Sequence, residues 1–540
     1  MNRRNFIQRG AAAAAMSKGR AGSAVEAQKL ASAYPAMPAR RRVNRDGKPN
    51  ILMIMADQLR MDCVGAYGNR SISTPHIDRL ATEGIRFQNA YTSVPSCTPA
   101  RTALMTGLGP WRHGMLGMVA MATNKYPIEK ASAMVASGYY AVSIGKNHYN
   151  PITNAHGYHH MITDEHCSYW FHNTGIQTPQ SPEMRCDYES WFWSQLPDRD
   201  PHATGLGWND QPAKAFVYPE ELHATHWTGE TGVRFLEQYD REEPFFLKVS
   251  FIRPHSPYDP PKRFFGMYEH ASLPEARAGA WAARYEPRSS EKDDLWHGKL
   301  SDEEIHHSRA GYYGNVSFVD GQVGRLLDVL ERREMLDNTL IVFFSDHGDM
   351  LGDQNLWRKT YAYEPSAHIP MLMRPAASMN LGPAGQVFTN PVELRDMLPT
   401  FLDAAGAEIP AHIEGKSLLQ LVRNGGQGWR EYIDLEHNIC YDVTNHWNGL
   451  TDGTWKYIFH AYSGEEQLFH LASDPHELTN LSDDVNHRSE VELWRARLVA
   501  HLSERGEEWV KDNKLQLRKE GTMRSPNFPG YSKPESDMRY

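Results

Sequence analysis

Four runs of apolar residues dominate the hydropathy pattern of the first two-thirds of the chain. They cover residues 51–56, 139–144, 245–252 and 339–344. Apolar runs of this length with polar ends are typical of strands buried on both faces of a parallel sheet. Segments with helical spacing lie between them, for example 74–84 and 315–332. This alternation predicts an α/β fold, doubly wound, with helices on both faces of a mostly parallel sheet.

Polar, titratable side chains follow each of the four predicted strands. They are Asp57 with Gln58, Lys146 with His148, His255, and Asp346 with His347. In open α/β sheets, ligands bind at the carboxyl ends of the strands. We therefore expect these side chains to surround one crevice.

The pattern changes after about residue 425 to short alternating segments separated by turn residues. These segments, at 432–435, 447–451, 455–460 and 466–471, predict a small antiparallel sheet. Residues 490–505 have helical spacing, and the tail beyond residue 514 is predicted to be an extended surface segment. Because 540 residues exceed what one core usually holds, we divide the chain into residues 1–48 (export signal and linker), 49–425 (catalytic α/β domain) and 426–540 (C-terminal α+β subdomain and tail).

The N-terminus has the features of an export signal. Arg3-Arg4-Asn5-Phe6-Ile7, followed by the alanine run at residues 11–15, resembles a twin-arginine signal. This predicts a periplasmic or secreted protein; the alternative is a disordered basic arm. No run approaches the roughly 20 apolar residues that span a bilayer. A net charge of −9 gives no general attraction to nucleic acid.

The five cysteines are too few and too scattered for a disulfide scaffold. Cys167 and Cys186 either pair in an oxidising compartment or remain buried thiols. Cys97 stands apart because of the residues around it.

The segment Cys97-Thr98-Pro99-Ala100-Arg101 matches the C-x-P-x-R signature of type I sulfatases, members of the alkaline phosphatase-like superfamily. The resemblance extends from residue 50 to about residue 483. Its other motifs are Ala56-Asp57-Gln58, Thr74-Pro75-His76-Ile77-Asp78, Gly145-Lys146-Asn147-His148, Pro254-His255-Ser256-Pro257, Ser345-Asp346-His347-Gly348, Lys359-Thr360-Tyr361 and Leu468-Phe469-His470-Leu471. Together they identify the chain as similar to this family over nearly its whole length.

The resemblance implies that Cys97 is oxidised to formylglycine (3-oxoalanine) by a formylglycine-generating enzyme. The hydrated aldehyde then attacks the sulfur of a sulfate monoester, the alcohol leaves, and the second hydroxyl expels sulfate. Hydrolysis of such an anion needs a strong nucleophile, cations on the sulfate oxygens and a proton for the alcohol.

The same resemblance assigns roles to five further residues. Arg101 would hold the formylglycine hydroxyls, and Lys146 and Lys359 would contact sulfate oxygens. His148 would be the base that starts sulfate expulsion, and His255 with Lys359 would protonate the leaving oxygen.

A divalent metal ion completes the implied site, with Asp57, Gln58, Cys97, Asp346 and His347 as ligands. Many sulfatases have Asp-Asp and Asp-Asn where this chain has Asp57-Gln58 and Asp346-His347. Carboxylates suit Ca²⁺ or Mg²⁺, whereas an imidazole suits Mn²⁺ or Zn²⁺. Ca²⁺ is our prediction. The nearby Asp349 and Asp353 are expected to be structural or solvated.

The substrate class is the least determined feature. Residues 150–230 contain eight aromatic side chains that either pack internally or stack on sugar rings, Trp170, Phe171, His172, Trp191, Phe192, Trp193, Trp208 and Trp227. We predict a sulfated small molecule or saccharide as substrate. The alternatives are a phosphonate monoester or phosphodiester hydrolase, which Gln58 and His347 keep open, and a catalytically silent binding protein. The sequence leaves the oligomeric state open.

Overall fold

The computed structural model describes residues 47–121, 126–165 and 186–531. The predicted export signal, Cys167, Trp170, Phe171 and His172 lie outside the described residues, so the predictions made for them stay predictions. Within these ranges, no helix combines the length and the apolar character needed to cross a membrane.

The chain first builds an eight-stranded sheet. Its strands are β1 (Asn50–Asp57), β2 (Ile85–Phe87), β4 (Tyr140–Gly145), β5 (His160–Thr163), β6 (Phe245–Pro254), β7 (Thr339–Ser345), β8 (Met371–Arg374) and β9 (Gln386–Phe388), while β3 (Ala90–Tyr91) pairs with β10 (Val392–Glu393) beside it. The order is β5-β4-β6-β1-β7-β8-β2-β9. β8 runs antiparallel to both of its neighbours, and the remaining pairings are parallel. The predicted mostly parallel sheet is confirmed.

Helices cover both faces of this sheet. They are α1 (Pro75–Thr82), α2 (Cys97–Thr106), α3 (Pro110–His113), α4 (Lys130–Ala136), α5 (Asp187–Gln195), α6 (Ala224–Gln238), α7 (Lys262–Phe265), α8 (Asp302–Arg332), α9 (Glu364–Ala367), α10 (Met397–Ala404) and α11 (Leu418–Arg423). Alternate residues of β1 enter two separate cores: Leu52 and Ile54 pack with α6 and α8, and Ile51 and Met53 pack with α2 and α10. A strand buried on both faces therefore has the continuous apolar run seen in the sequence.

Helix α8 begins earlier than predicted. The apolar spacing predicts a start at residue 315, whereas the helix begins at Asp302. It follows a capping box in which the Ser301 and Glu304 side chains accept from each other's backbone N–H groups. The first turns are exposed and polar, so they have no apolar periodicity. Ser301 and Glu304 have the spacing of a capping box and were the missed signal.

A second, four-stranded sheet follows in the C-terminal part of the chain. Its strands β11 (Ile433–His437), β12 (Trp447–Thr451), β13 (Trp455–His460) and β14 (Glu466–His470) pair antiparallel in sequence order. Helix α12 (Arg488–Leu502) packs on this sheet through Trp494 and Leu498. The predicted antiparallel subdomain is confirmed, while the boundaries at residues 48 and 425 stay predictions.

The tail differs from the prediction of an extended surface segment. After the short strands β15 (Val510–Lys511) and β16 (Lys514–Leu515), Met523 and Ser525 are buried. The N–H of Leu116 donates to the carbonyl of Met523. Most residues beyond 514 are exposed or partly exposed, but the Pro- and charge-rich composition of the tail does not indicate the two residues that pack against the main domain.

Candidate active site

The four predicted strand ends meet at one place because β4, β6, β1 and β7 are consecutive in the sheet. Asp57 is the last residue of β1, Asp346 follows β7, Lys146 follows β4 and His255 follows β6. All four side chains are buried. The four predicted strand-end side chains therefore lie together as one compact, buried group of titratable residues.

Cys97 is the first residue of α2, directly after Ser96, whose extended backbone marks the start of the helix. The Cys97 Sγ lies 3.1 Å from His347 Nε2, 3.8 Å from Asp57 Oδ1 and 3.9 Å from Lys146 Nζ. The helix start thus aims the thiol at the strand ends.

Arg101 lies one helical turn after Cys97 and joins the two carboxylates. Its Nε donates to Asp346 Oδ2 at 2.8 Å, and its Nη2 lies 3.3 Å from Asp57 Oδ2. Lys146 forms a second ion pair with Asp57. Since buried carboxylates are costly without partners, Arg101 and Lys146 make this concentration of negative charge tolerable.

Four side chains form a group that can hold a metal ion. Among the described residues, one ligand atom each from Asp57, Cys97, Asp346 and His347 lies within 4.8 Å of the others. The His347 Nδ1 is 2.9 Å from the Gly348 carbonyl, so Nδ1 donates there and Nε2 faces the group. Two carboxylates and an oriented imidazole fit a divalent cation.

Gln58, the fifth predicted ligand, has other partners in the structure. Its amide nitrogen donates to Asp349, and its Oε1 accepts from Lys359 Nζ at 2.8 Å. Its role as a ligand stays a prediction. Asp349, expected to be structural or solvated, is fully buried and also accepts from the Tyr258 hydroxyl at 2.6 Å, so it is structural.

Lys359 extends this chain of hydrogen bonds to His255. Lys359 Nζ lies 2.6 Å from His255 Nε2, while His255 Nδ1 lies 2.8 Å from the Ser256 carbonyl. The imidazole therefore donates from Nδ1 and accepts a hydrogen bond from Lys359 at Nε2. Burial and the positive charge of Lys359 lower the pKa of His255 well below its usual value.

The electrostatics around Cys97 favour an anion. Burial and Asp57 raise the pKa of the Cys97 thiol, but Lys146, Lys359 and His347 outweigh them and lower it well below its usual value. The site therefore stabilises negative charge at the Cys97 side chain, which a nucleophile and an attached sulfate both require.

His148 lies two residues beyond Lys146, in a half-buried position with φ of 62°. The Glu165 carboxylate accepts from the backbone N–H groups of Asn147, at 2.6 Å, and of His148, at 3.1 Å. The role of His148 against Cys97 stays a prediction.

Lys248 and Glu165 are supporting residues that the sequence reasoning missed. Lys248 Nζ donates to the Lys146 carbonyl at 3.0 Å and to Asn147 Oδ1 at 2.8 Å. A lysine inside the apolar run 245–252 was the available signal, because a buried amine needs specific hydrogen-bond acceptors.

The C-terminal sheet also reaches the site. His437 Nε2 lies 3.0 Å from Ser96 Oγ, and both Cys440 Sγ and Trp447 Nε1 donate to the Thr360 carbonyl, at 3.1 Å and 3.0 Å. Ser96 and Thr360 adjoin Cys97 and Lys359. The second sheet and the connection between β11 and β12 therefore hold the segments that carry Cys97 and Lys359. No local sequence pattern predicts these contacts.

Comparisons with known proteins agree with this geometry. The family model described as Sulfatase matches residues 49–407, and the model described as N-sulphoglucosamine sulphohydrolase, C-terminal, matches residues 352–504. An arylsulfatase of Clostridium perfringens is 38% identical over 470 residues, which are 87% of this chain and 97% of that protein.

Two further comparisons broaden the range of chemistry. An N-acetylglucosamine-6-O-sulfatase of Bacteroides thetaiotaomicron is 25% identical over 536 residues, covering 86% of this chain and 87% of that protein. The crystal structure of the phosphonate monoester hydrolase of Agrobacterium radiobacter superposes with a TM-score of 0.68 at 25% identity, covering 85% of this chain and 96% of that chain. The chain shares its fold, over most of its length, with enzymes of both kinds.

Proposed function

This chain belongs to the sulfatase family, and from that premise we propose that it hydrolyses sulfate monoesters of a carbohydrate through an oxidised Cys97. The sulfuric ester hydrolase activity follows from the family and from the arylsulfatase relative. The observation that carries the finer proposal is the position of Cys97, beside three metal-ligating side chains and within 3.9 Å of Lys146 Nζ. Carbohydrate as the substrate class is supported by the N-acetylglucosamine-6-O-sulfatase relative.

The proposed cofactor is one divalent cation, held by Asp57, Asp346, His347 and the oxidised side chain of Cys97. Oxidation would exchange the sulfur of Cys97 for oxygen, which leaves oxygen donors and one nitrogen. That donor set suits Ca²⁺, our preferred ion, with Mn²⁺, Mg²⁺ or Zn²⁺ as alternatives. When bound, the ion and the oxidised side chain together supply a nucleophilic oxygen of lowered pKa.

The residues of this chain would perform the remaining tasks. Lys146 and Lys359 act electrostatically on the Cys97 side chain and would bind the non-bridging oxygens of sulfate. Arg101 would hold Asp57 and Asp346 in place as the charge on the ester changes. His148 would accept the proton when sulfate is expelled.

The proton for the leaving alcohol would come from the pair formed by Lys359 and His255. His255 is neutral in the resting site and accepts a hydrogen bond from Lys359. Lys359 Nζ therefore donates the shared hydrogen, and the imidazole holds the Lys359 side chain in place. Loss of either side chain would slow alkyl sulfates most, because alkoxides are poorer leaving groups than phenoxides.

A phosphonate monoester or phosphodiester hydrolase is the second candidate. It is supported by the structural similarity to the Agrobacterium radiobacter enzyme and by His347 in the metal-ligating group. Paired assays with an aryl sulfate and an aryl phosphonate separate the two. We expect the larger kcat/KM on the sulfate; a much larger value on the phosphonate would reverse the assignment.

Mass spectrometry of the peptide across Cys97 tests the nucleophile. Replacement of CH₂SH by CHO lowers the mass by about 18 Da. This is expected after co-expression with a formylglycine-generating enzyme. An unmodified cysteine in active enzyme would contradict the mechanism, and an unmodified, inactive protein from the native host would favour a binding role.

We also propose export by the twin-arginine route. The support is the segment Arg3-Arg4-Asn5-Phe6-Ile7 with the alanine run that follows it. Fractionation of cells that produce the full chain should recover it outside the cytoplasm. Replacement of Arg3 and Arg4 by lysine should retain it inside, and equal export of the variant would contradict the proposal.

A further inference from the structure

The aromatic side chains of residues 186–230 do not share one environment. Trp191, Phe192 and Trp227 pack in an apolar cluster with Tyr188. Trp193 donates its Nε1 hydrogen to the Arg199 carbonyl at 2.8 Å. These side chains have partners within the same segment, and Trp208 is the remaining tryptophan of residues 186–230.

Trp208 lies against two residues of the candidate active site. Its ring centroid is 4.4 Å from that of His255, with 34° between the ring planes, and Lys146 Nζ lies 5.0 Å from the indole. His255 and Lys146 are at most 1% exposed, whereas Trp208 is half-buried. The half-buried indole therefore lies between solvent and the buried side chains of His255 and Lys146.

The backbone around Trp208 is anchored on both sides. The Ser256 hydroxyl donates to the Trp208 carbonyl at 2.8 Å. The Gly207 N–H donates to Asp210 Oδ2 at 2.6 Å, which closes the turn that carries Trp208. The Gln211 N–H donates to the Asp293 carbonyl at 3.0 Å. Such anchoring presents the indole in a fixed orientation, which limits the entropy lost on binding.

We propose that Trp208 is the platform on which a ring of the leaving alcohol packs, and that it selects ring-bearing sulfate esters. This inference rests on the proposed function, since it takes sulfate to bind at Lys146 and Lys359. The leaving oxygen then lies next to His255, and the first carbon atoms beyond it lie next to the indole that covers His255. An aryl ring or the C–H face of a pyranose fits this surface.

The two ends of the substrate would bind to different side chains. The charged end binds at Lys146 and Lys359, so loss of the indole should leave inorganic sulfate binding unchanged. The apolar end contacts Trp208, so the loss should appear with esters that carry a ring. An indole that only positioned Lys146 or His255 would instead affect every ester and also inorganic sulfate.

The experiment compares Trp208→Ala and Trp208→Phe with the wild-type enzyme and with Trp193→Ala, a matched control from the same segment. The measurements are kcat and KM for a pyranosyl 6-sulfate, 4-nitrophenyl sulfate and butyl sulfate, and Ki for inorganic sulfate. Trp208→Ala should lose roughly tenfold to hundredfold in kcat/KM on both ring esters, mainly through KM. Butyl sulfate and the sulfate Ki should change by less than about threefold, and Trp208→Phe should recover part of the loss.

Two outcomes would overturn the proposal. Equal losses on all three esters with a weakened sulfate Ki would show that Trp208 positions the charged residues. No loss on the ring esters would show that the ring does not contact Trp208. Wild-type enzyme that hydrolyses no sulfate ester would instead defeat the proposed function. In that case, calorimetric titration of 4-nitrophenyl sulfate into Cys97→Ser protein with and without Trp208→Ala still decides the platform: unchanged affinity rejects it, and a loss of about tenfold supports it.

Discussion

His437 Nε2 and Ser96 Oγ lie 3.0 Å apart, so a side chain of the C-terminal sheet holds the residue that precedes Cys97. Burial lowers the pKa of His437 to about 3, so the imidazole is neutral in the working protein. Its Nδ1 lies 3.1 Å from the Asn438 carbonyl and donates there, so Nε2 accepts a hydrogen bond from the Ser96 hydroxyl.

His437→Ala should therefore weaken both the fold and the active site. Loss of the hydrogen bond and creation of a small cavity should lower the free energy of unfolding by about 2–4 kcal/mol. The folded variant should also lose at least roughly tenfold in kcat, because Ser96 is no longer held in place and the adjacent Cys97 is then positioned less precisely. Urea unfolding and steady-state kinetics measure the two effects, with the exposed His412→Ala as control. Unchanged kcat in folded His437→Ala would show that Cys97 does not depend on this contact.

Arg101→Lys should reduce metal retention as well as activity. A lysine has one nitrogen and cannot contact Asp57, Asp346 and the Lys146 carbonyl at once, as the guanidinium does. We expect kcat/KM to fall by roughly a hundredfold or more. Metal analysis after dialysis should find less than one ion per chain. Arg112→Lys, at a guanidinium that is 50% exposed, should retain both the ion and the activity.

Glu165→Gln should slow turnover. The carboxylate accepts from the N–H groups of Asn147 and His148, and an amide can replace only part of this bonding. Hydrogen bonds to a charged group contribute about 1.5–3 kcal/mol. We therefore expect kcat to fall by roughly tenfold, with KM changed less. The matched control is Glu242→Gln at an exposed position. A change in KM alone would indicate that this loop serves binding and not the chemical steps.

Asp259 should account for part of the acid sensitivity of the fold. Its Oδ1 lies 2.7 Å from Arg253 Nε and 3.5 Å from His223 Nε2. Burial raises the pKa of Asp259, but Arg253 and His223 outweigh burial and lower the pKa to about 2. Because its pKa is lower in the folded protein, the ionised Asp259 carboxylate stabilises the fold at pH values above the unfolded-state pKa, near 3.9. This contribution disappears as the pH falls toward 2.

Asp259→Asn should therefore cost about 2–3 kcal/mol at pH 7, and the difference from wild type should shrink between pH 4 and pH 2. Urea unfolding at a series of pH values measures this difference, and the exposed Asp240→Asn is the control. A difference that stays constant down to pH 2 would show that Asp259 acts through packing and not through its charge.

The sequence predicts the strand-end residues well, because carboxyl ends of neighbouring parallel strands must meet at one edge. Asp57, Lys146, His255 and Asp346 converge for this reason. Other features depend on contacts between distant parts of the chain. His437 and Ser96 are 341 positions apart, and no periodicity links them. The amide of Gln58 was predicted to face a metal, yet its orientation depends on Asp349 and Lys359, whose approach only the folded chain defines.

The aromatic residues illustrate the same limit. Composition alone does not distinguish a binding role from a packing role for Trp191, Trp208 and Trp227, because all three are large apolar side chains in one polar segment. Packing distinguishes them, since two enter an internal cluster and Trp208 lies against His255. The beginning of α8, in contrast, was readable from Ser301 and Glu304, since a helix cap is a local feature.

The burial of Cys97 has a consequence for biosynthesis. Its side chain is 1% exposed, at the start of α2 and under the ends of the central strands. The proposed oxidation requires another enzyme to take this side chain into its own catalytic pocket, which the folded protein prevents. The proposed modification would therefore have to occur while residues 95–101 are still an accessible peptide. Maturation and folding would then compete for the same nascent chain, and a molecule that folds first would keep an unmodified Cys97.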